Sequence, residues 1–429
     1  MGRKALQHGL VNSCGEVRTI PASLTWVDHD AAARQRSLQI LALFDQKESR
    51  DELGLGGIRD SFADQLFPGT STIQTRLRYM LIIPWTYIEL ERRRVAPVDF
   101  AQRADSEERR VIESLQALSG EERGIFGGAS GKSLKRLPGS VYWSGLVSWG
   151  ILTRDLSQDQ YYMRMGEVYR SRDQEFKANS GMRRRGDDEA DIINPNAVTW
   201  HPALPKAPDG FPQDLDVNLT PEEAGFILDR IQRSHPRSLL AHLAVTGGIA
   251  DIDAPWEHPD FSTFAPEHQE LLAHARMFSE IMHGAALIYN IALSDLAARG
   301  GLAAEHRERY RRWSDGLDDH ALRSWDLARL WELTQDQGHT ITHKTMSFVE
   351  EWVSIARGVA RERAPEQSRV RSLIRTRERS LKHTKSRFTN RLALERWSGS
   401  SGLRRLTYRW SNVNAFLRDL YAGFQRGAE

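Results

Sequence analysis

Four carboxylates that could act at a sugar carbon stand close together early in the chain: Asp51, Glu52, Asp60 and Asp64. A short helix over residues 58–66 would put Asp60 and Asp64 one turn apart on the same face. Like charges at that spacing repel unless a cation, a basic side chain or burial intervenes. Crowding of this kind also raises the pKa of one carboxyl while its neighbour stays ionised. Such a division suits hydrolysis at a sugar carbon, where one carboxylate stabilises positive charge and orients water. The alternative is a set of solvated acids, or acids that cap helix starts or pair with nearby arginines.

These acids belong to the stretch from Arg50 to Tyr87, where acids, turn formers and basic groups are mixed more densely than in any other window. Gly54, Gly56 and Gly57 break any preceding helix and permit close backbone approach. Pro68-Gly69 turns the chain, and the spacing predicts that Thr70 or Ser71 caps a second helix, ended or kinked near Pro84. This is a helix–hairpin–helix-like element near residues 58–83. A hairpin that opens a helix points its first amides outward, which suits a DNA phosphate. Gly69, Thr70 and Ser71 would supply that end. Gln74 and Arg78 fall one turn apart on one face, with Arg76 to the side. They could touch phosphates, a base edge or the gap left by an extruded nucleotide. Pairing of these arginines with the upstream acids would explain both groups without a ligand.

The formal net charge of +2 conceals an uneven distribution. Between Arg369 and Arg409 there are thirteen Arg or Lys residues and two acids, Glu378 and Glu395. Phe388, Trp397 and Tyr408 interrupt this block, and Trp410 follows it. Basic groups interleaved with aromatics form a phosphate-binding footprint, for which Lys385, Arg387, Asn390 and Arg409 are the candidates. A solvated helix face is the alternative.

Two other motifs fail on spacing. Gly127-Gly128-Ala129-Ser130-Gly131-Lys132-Ser133 is one residue short of a nucleotide phosphate loop. His339 and His343 stand four apart, as metal-chelating pairs do, but lack a third ligand in the pattern and read as a capping or surface pair. Neither a metal nor a cofactor is expected.

A chain of 429 residues with 40% hydrophobic and 27% charged residues fits a globular protein of two or three domains. Cys14 is the single cysteine, which rules out an internal disulfide and fits a reducing compartment. No apolar run approaches the roughly 20 residues that span a bilayer, and the N-terminus lacks a signal pattern. The expected location is cytoplasmic, with no membrane partner.

Strand-like alternation is scarce, so the expected fold is mainly α and multi-helical. The organisation reads as a flexible arm over 1–20, an N-terminal helical domain over 21–182 holding the candidate active site, and a Pro-rich linker or ordered loop over 183–221. A helical domain over 222–365 and a basic nucleic-acid-binding segment over 366–429 follow. Thr220-Pro221-Glu222-Glu223 is a capping box with proline at the first helical position. Apolar residues spaced by three and four predict helices over 269–299 and 346–360.

The pattern Asp51-Glu-Leu-Gly-Leu-Gly, Ile58-Arg-Asp60, Leu66-Phe-Pro-Gly-Thr-Ser71, Gln74-Thr-Arg76, Arg78-Tyr79 and Pro84-Trp85 resembles a bacterial family of unknown function. Tyr142-Trp143, Trp397-Ser-Gly399 and Tyr408-Arg409-Trp410 extend the resemblance over most of the chain. The family it resembles includes anti-phage DNA glycosylases that cut the base–sugar bond of glucosylated hydroxymethylcytosine. The resemblance implies a partner, double-stranded phage DNA with modified bases, and a product, an abasic site. It carries no assignment of catalytic positions. A target base must leave the stack to be cut, which calls for a pocket and phosphate clamps. The alternatives are a DNA-binding regulator without catalysis and a metal-dependent nuclease built on Asp60 and Asp64.

Overall fold

α-Helices dominate because apolar residues recur at helical spacing along most of the sequence. The computed structural model describes residues 51–119, 124–126, 134, 136–185, 197–247, 250–335, 339–358 and 360–426. The arm over 1–20, Cys14 and the near-miss phosphate loop lie outside the described residues, as do 186–196 of the Pro-rich segment. Among the described residues the fold is mainly α and multi-helical, with no strand. One isolated antiparallel bridge joins Leu152 to Trp200.

The helices run α1 (Gly56–Leu66), α2 (Tyr79–Arg92), α3 (Pro97–Ser119), α4 (Pro138–Ser148) and α5 (Gln158–Arg185). After the Pro-rich segment come α6 (Pro221–Ser234), α7 (Leu239–Thr246), α8 (Pro266–Leu296), α9 (Gly300–Asp315), α10 (Asp319–Ser324) and α11 (Leu327–Gln335). The chain continues through α12 (His343–Arg357), α13 (Ser368–Lys382), α14 (Arg391–Glu395) and α15 (Trp410–Gln425). The capping box forms as expected at Thr220, whose hydroxyl accepts from the Glu223 amide while the Glu223 carboxylate accepts from the Thr220 amide.

Helix α8 is the spine. From Ile281 to Ser294 nearly every residue is buried, which marks a helix enclosed on all sides rather than amphipathic at a surface. Aromatic side chains fix their neighbours to its backbone carbonyls. Trp313 Nε1 of α9 donates to Glu280 at 2.7 Å, Trp352 Nε1 of α12 to Ile281 at 2.8 Å, and the Tyr408 hydroxyl to Ala275 at 2.7 Å. Gly284 lets Trp313 lie directly on the helix; a Cβ there would fall 2.3 Å from the indole.

Two boundaries differ from expectation. The second helix of the central stretch begins at Tyr79, not at Thr70 or Ser71, and it continues past Pro84 to Arg92. Residues 67–78 are turns instead of a tight hairpin, because their backbone groups find partners outside any helix. The Gln74 side chain folds back, its Oε1 accepting from the Ser71 amide at 2.8 Å and its Nε2 donating to the Gly69 carbonyl at 3.3 Å. The Tyr142 hydroxyl of α4 accepts from the amides of Thr75 and Arg76, and Asp419 of α15 accepts from that of Leu77. Pro84 is accommodated where α2 is buried from Tyr79 to Tyr87 and held by side chains, including Trp85, whose Nε1 donates to the Pro205 carbonyl. That last bond belongs to the described part of the Pro-rich segment, 197–220, where Trp200, Leu215, Val217 and Leu219 are buried.

The Gly69 backbone sits at φ +77, and its Cβ would come within 2.3 Å of Trp149 Nε1. Gly69→Ala should therefore destabilise the protein by about 2–4 kcal/mol, combining left-handed strain with overpacking, as read by urea unfolding. An unchanged midpoint would mean the turn relaxes freely.

Glu108 of α3 is buried against Tyr87 and the start of α4, accepting from the Tyr87 hydroxyl at 2.9 Å and the Gly139 amide at 2.6 Å. Burial pushes its carboxyl up to about 7, against both hydrogen bonds. A folded value above the ordinary 4.5 means that stability is complete below about pH 4.5 and falls as the pH rises through 7. The loss is on the order of 3 kcal/mol. Unfolding measured between pH 5 and 8, about the span of this titration, should show that slope in the wild type and a shallower one in Glu108→Gln. Equal slopes would remove Glu108 as the cause.

Candidate active site around Asp60 and Asp64

Helix α1 begins where the Asp51 side chain accepts from the Gly56 amide. It packs against α11 through Ser61 and Gln65, which donate to the carbonyls of Thr334 and Leu333 at 2.7 and 2.8 Å. That packing turns Asp60 and Asp64 outward onto a half-exposed face, one turn apart as the sequence predicts.

Neither acid is left without a cation. Arg59 contacts Asp60 at 3.0 Å. Arg409 NH1 lies 2.6 Å from Asp64 Oδ1, and its NH2 lies 3.9 Å from Asp60. The same NH1 donates to the Thr70 carbonyl at 2.7 Å, so one guanidinium joins the acids of α1 to the following turn. On the other side of Asp64, Oδ2 lies 3.1 Å from His339 Nε2. Burial works to lower the Arg59 pKa, but its hydrogen bond to Asp60 and the charges of Asp60 and Asp51 leave it raised.

Arg409 reaches this position from a costly backbone. It precedes α15 at φ 69, and Tyr408 before it lies at φ 52. Two successive left-handed residues other than glycine cost on the order of 1–3 kcal/mol each unless their surroundings hold them. Here Tyr408 is tied to Ala275 of α8, and Trp410 Nε1 donates to the Ile252 carbonyl at 3.0 Å. The motif Tyr408-Arg409-Trp410 thus works as a unit, its aromatics anchoring the strand of chain that delivers the arginine.

Glu52 faces elsewhere. It is buried and contacts Arg387 at 2.7 Å and Lys382 at 3.3 Å, with Arg387 also donating to the Tyr289 hydroxyl at 2.9 Å. Burial lowers the Lys382 pKa against the pull of Glu52. The basic C-terminal block therefore reaches the acidic stretch, but Glu52 stands apart from the Asp60–Asp64 face.

The remaining sequence candidates divide into two groups. Gln74 and Arg78 are internal: Arg78 pairs with Asp216 at 2.5 Å and Glu223 at 2.7 Å. Arg76 pairs with Asp419 at 3.1 Å, Thr70 donates to the Phe67 carbonyl, and Asn390 caps α14. These groups hold the turn and the C-terminal segment in place. Lys385, by contrast, is exposed. Among the described residues, the exposed side chains of Arg379, Lys385, Arg396, Arg404 and Arg405 have no acidic partner, so that part of the basic block is available to an anion.

His339 is the residue that sequence reasoning set aside. It was paired with His343 because they are four apart, yet His343 opens α12 while His339 lies before it and turns to Asp64. Ile341, between them, packs on Gly57 of α1, which brings the segment there. No local signal links positions 64 and 339. Among the described residues, no three His, Cys, Asp or Glu side chains form a group that could hold a metal, and no helix is long and apolar enough to cross a membrane.

Fold and site together define a multi-helical α protein in which an N-terminal pair of carboxylates meets a C-terminal arginine and a histidine from a third segment. The chain belongs to the family described as a family of unknown function, DUF6361, whose model matches residues 22–423. No curated protein and no solved structure matches it.

Arg409→Ala should cost about 1–3 kcal/mol in urea unfolding, the usual range for stranding partners of a charged hydrogen bond. Arg409→Gly should cost about 1 kcal/mol less than the alanine variant, because glycine accepts the left-handed backbone. Equal losses would show that the backbone there carries no strain.

Proposed function

We propose that the protein is a DNA glycosylase of anti-phage defence. It hydrolyses the N-glycosidic bond of a glucosylated hydroxymethylcytosine in double-stranded DNA and leaves an abasic site. The observation that carries this reading is the half-exposed Asp60–Asp64 pair, which lies in the motif that resembles the glycosylase-containing family. Cleavage builds positive charge on the sugar, and fixed negative charge at this face stabilises it. Arg409 sets the orientation of Asp64 before substrate arrives, so little reorganisation is needed at the moment of reaction. The unpaired cations of the C-terminal block supply the phosphate contacts that affinity for DNA requires.

The internal pairing of the same acids favours a second reading, a DNA-binding regulator whose acids only hold its own arginines. Incubation of the protein with phage DNA carrying the glucosylated base, beside unmodified DNA, separates the two. The glycosylase should produce alkali-labile sites in the modified DNA alone, at least about 100-fold slower in Asp64→Asn, in line with the 10²–10³-fold cost of losing one electrostatic contact. Binding without product supports the regulator. Strand cuts that need magnesium support a nuclease. Borohydride should trap no covalent protein–DNA adduct, since the stretch from Arg50 to Tyr87 that holds the acids contains no lysine.

A further inference from the structure

We infer that His339 and Asp64 form a catalytic dyad in which His339 takes the proton of the attacking water. This rests on the glycosylase reading above and deepens it. Three observations carry it. First, His339 Nε2 lies 3.1 Å from Asp64 Oδ2, with the side chains 24% and 42% exposed, so the pair is within reach of a substrate as a buried structural pair is not. Second, the other oxygen of Asp64 is held by Arg409 at 2.6 Å. The carboxylate is therefore fixed at both ends and can orient a ring. Third, the elements that bring the pair together are unrelated in sequence: α1 gives Asp64, the segment before α12 gives His339, and the strained residue before α15 gives Arg409.

The chemistry follows from the side of the ring that Asp64 occupies. A carboxylate at Nε2 favours the tautomer with its proton there, leaving the Nδ1 lone pair to act as base. Among the described residues no side chain or carbonyl bonds to Nδ1. In the proposed step, water attacks C1′ of the deoxyribose of the extruded nucleotide. Its proton passes to Nδ1. The C1′–N1 bond breaks and its electron pair leaves with the cytosine. The departing base takes that proton from the imidazolium, directly or through solvent, which returns the histidine to its starting form. The products are free base and abasic DNA, with no oxidant, metal or cofactor consumed. Asp64 does not itself take the proton; it steadies the imidazolium as it forms. A positioned base of this kind contributes about 10²–10⁴-fold.

The test is His339→Ala assayed for release of the glucosylated base from modified DNA, with and without added imidazole. Loss of at least about 100-fold in rate at saturating DNA, with DNA affinity retained and partial recovery on adding imidazole, is the expected result. Imidazole should do nothing for Asp64→Asn, whose own ring is present but misdirected. A merely structural histidine gives a different pattern. Its removal lowers the thermal midpoint, and imidazole in solution restores no rate. His339→Gln, which keeps a polar side chain of similar reach, covers the case in which the alanine variant fails to fold. Wild-type rates in the alanine variant, or in a folded glutamine variant, overturn the role of His339 and leave the glycosylase reading standing. A wild-type protein that releases no base overturns both.

Discussion

The bond between Arg409 and Asp64 is the constraint on which the candidate site depends. It joins residues 345 positions apart and uses a guanidinium whose backbone is held in the left-handed region. A conformation of that cost persists only where neighbours impose it. Tyr408 and Trp410 do so, one against the spine helix α8 and the other against the loop at Ile252. Removing either aromatic frees the segment that aims the arginine, and with it the orientation of Asp64. The cost of folding this segment is therefore linked to the geometry of a half-exposed carboxylate.

The two ends of the chain meet a second time. Glu52 takes Lys382 and Arg387, while Arg377 donates to the carbonyls of Leu53 and Gly54. A buried cluster of this kind stabilises little on balance, because desolvation offsets most of the attraction, yet breaking one partner strands the others. It fixes the register of the acidic stretch against α13. Glu52 holds the frame, while Asp60 and Asp64 lie on the half-exposed face of α1. The exposed cations without partners then lie in the same C-terminal block whose other cations build the frame.

Much of this was legible in sequence, and what was not has a physical reason. Helix α8 and the capping box at Thr220 are local patterns, and local patterns predict well. So does the spacing that places Asp60 and Asp64 on one face. The turn at Pro68–Arg78 was misjudged because its partners, Tyr142 and Asp419, come from distant helices; propensity favours a helix from Thr70, and tertiary hydrogen bonds override it. Gln74 and Arg78 have the side chains of a DNA-contacting pair, but the fold turns them inward toward its own groups. His339 could not be matched to Asp64 at all, since tertiary packing, including that of Ile341 on Gly57, brings them together.

The central claim, hydrolysis of a modified nucleoside at this face, is tested most directly by mass spectrometry of small molecules released from modified phage DNA. Intact glucosylated hydroxymethylcytosine in solution, an unbroken sugar–phosphate backbone and release at least about 100-fold slower by Asp64→Asn are expected. Free nucleotides or cut strands without free base would contradict it.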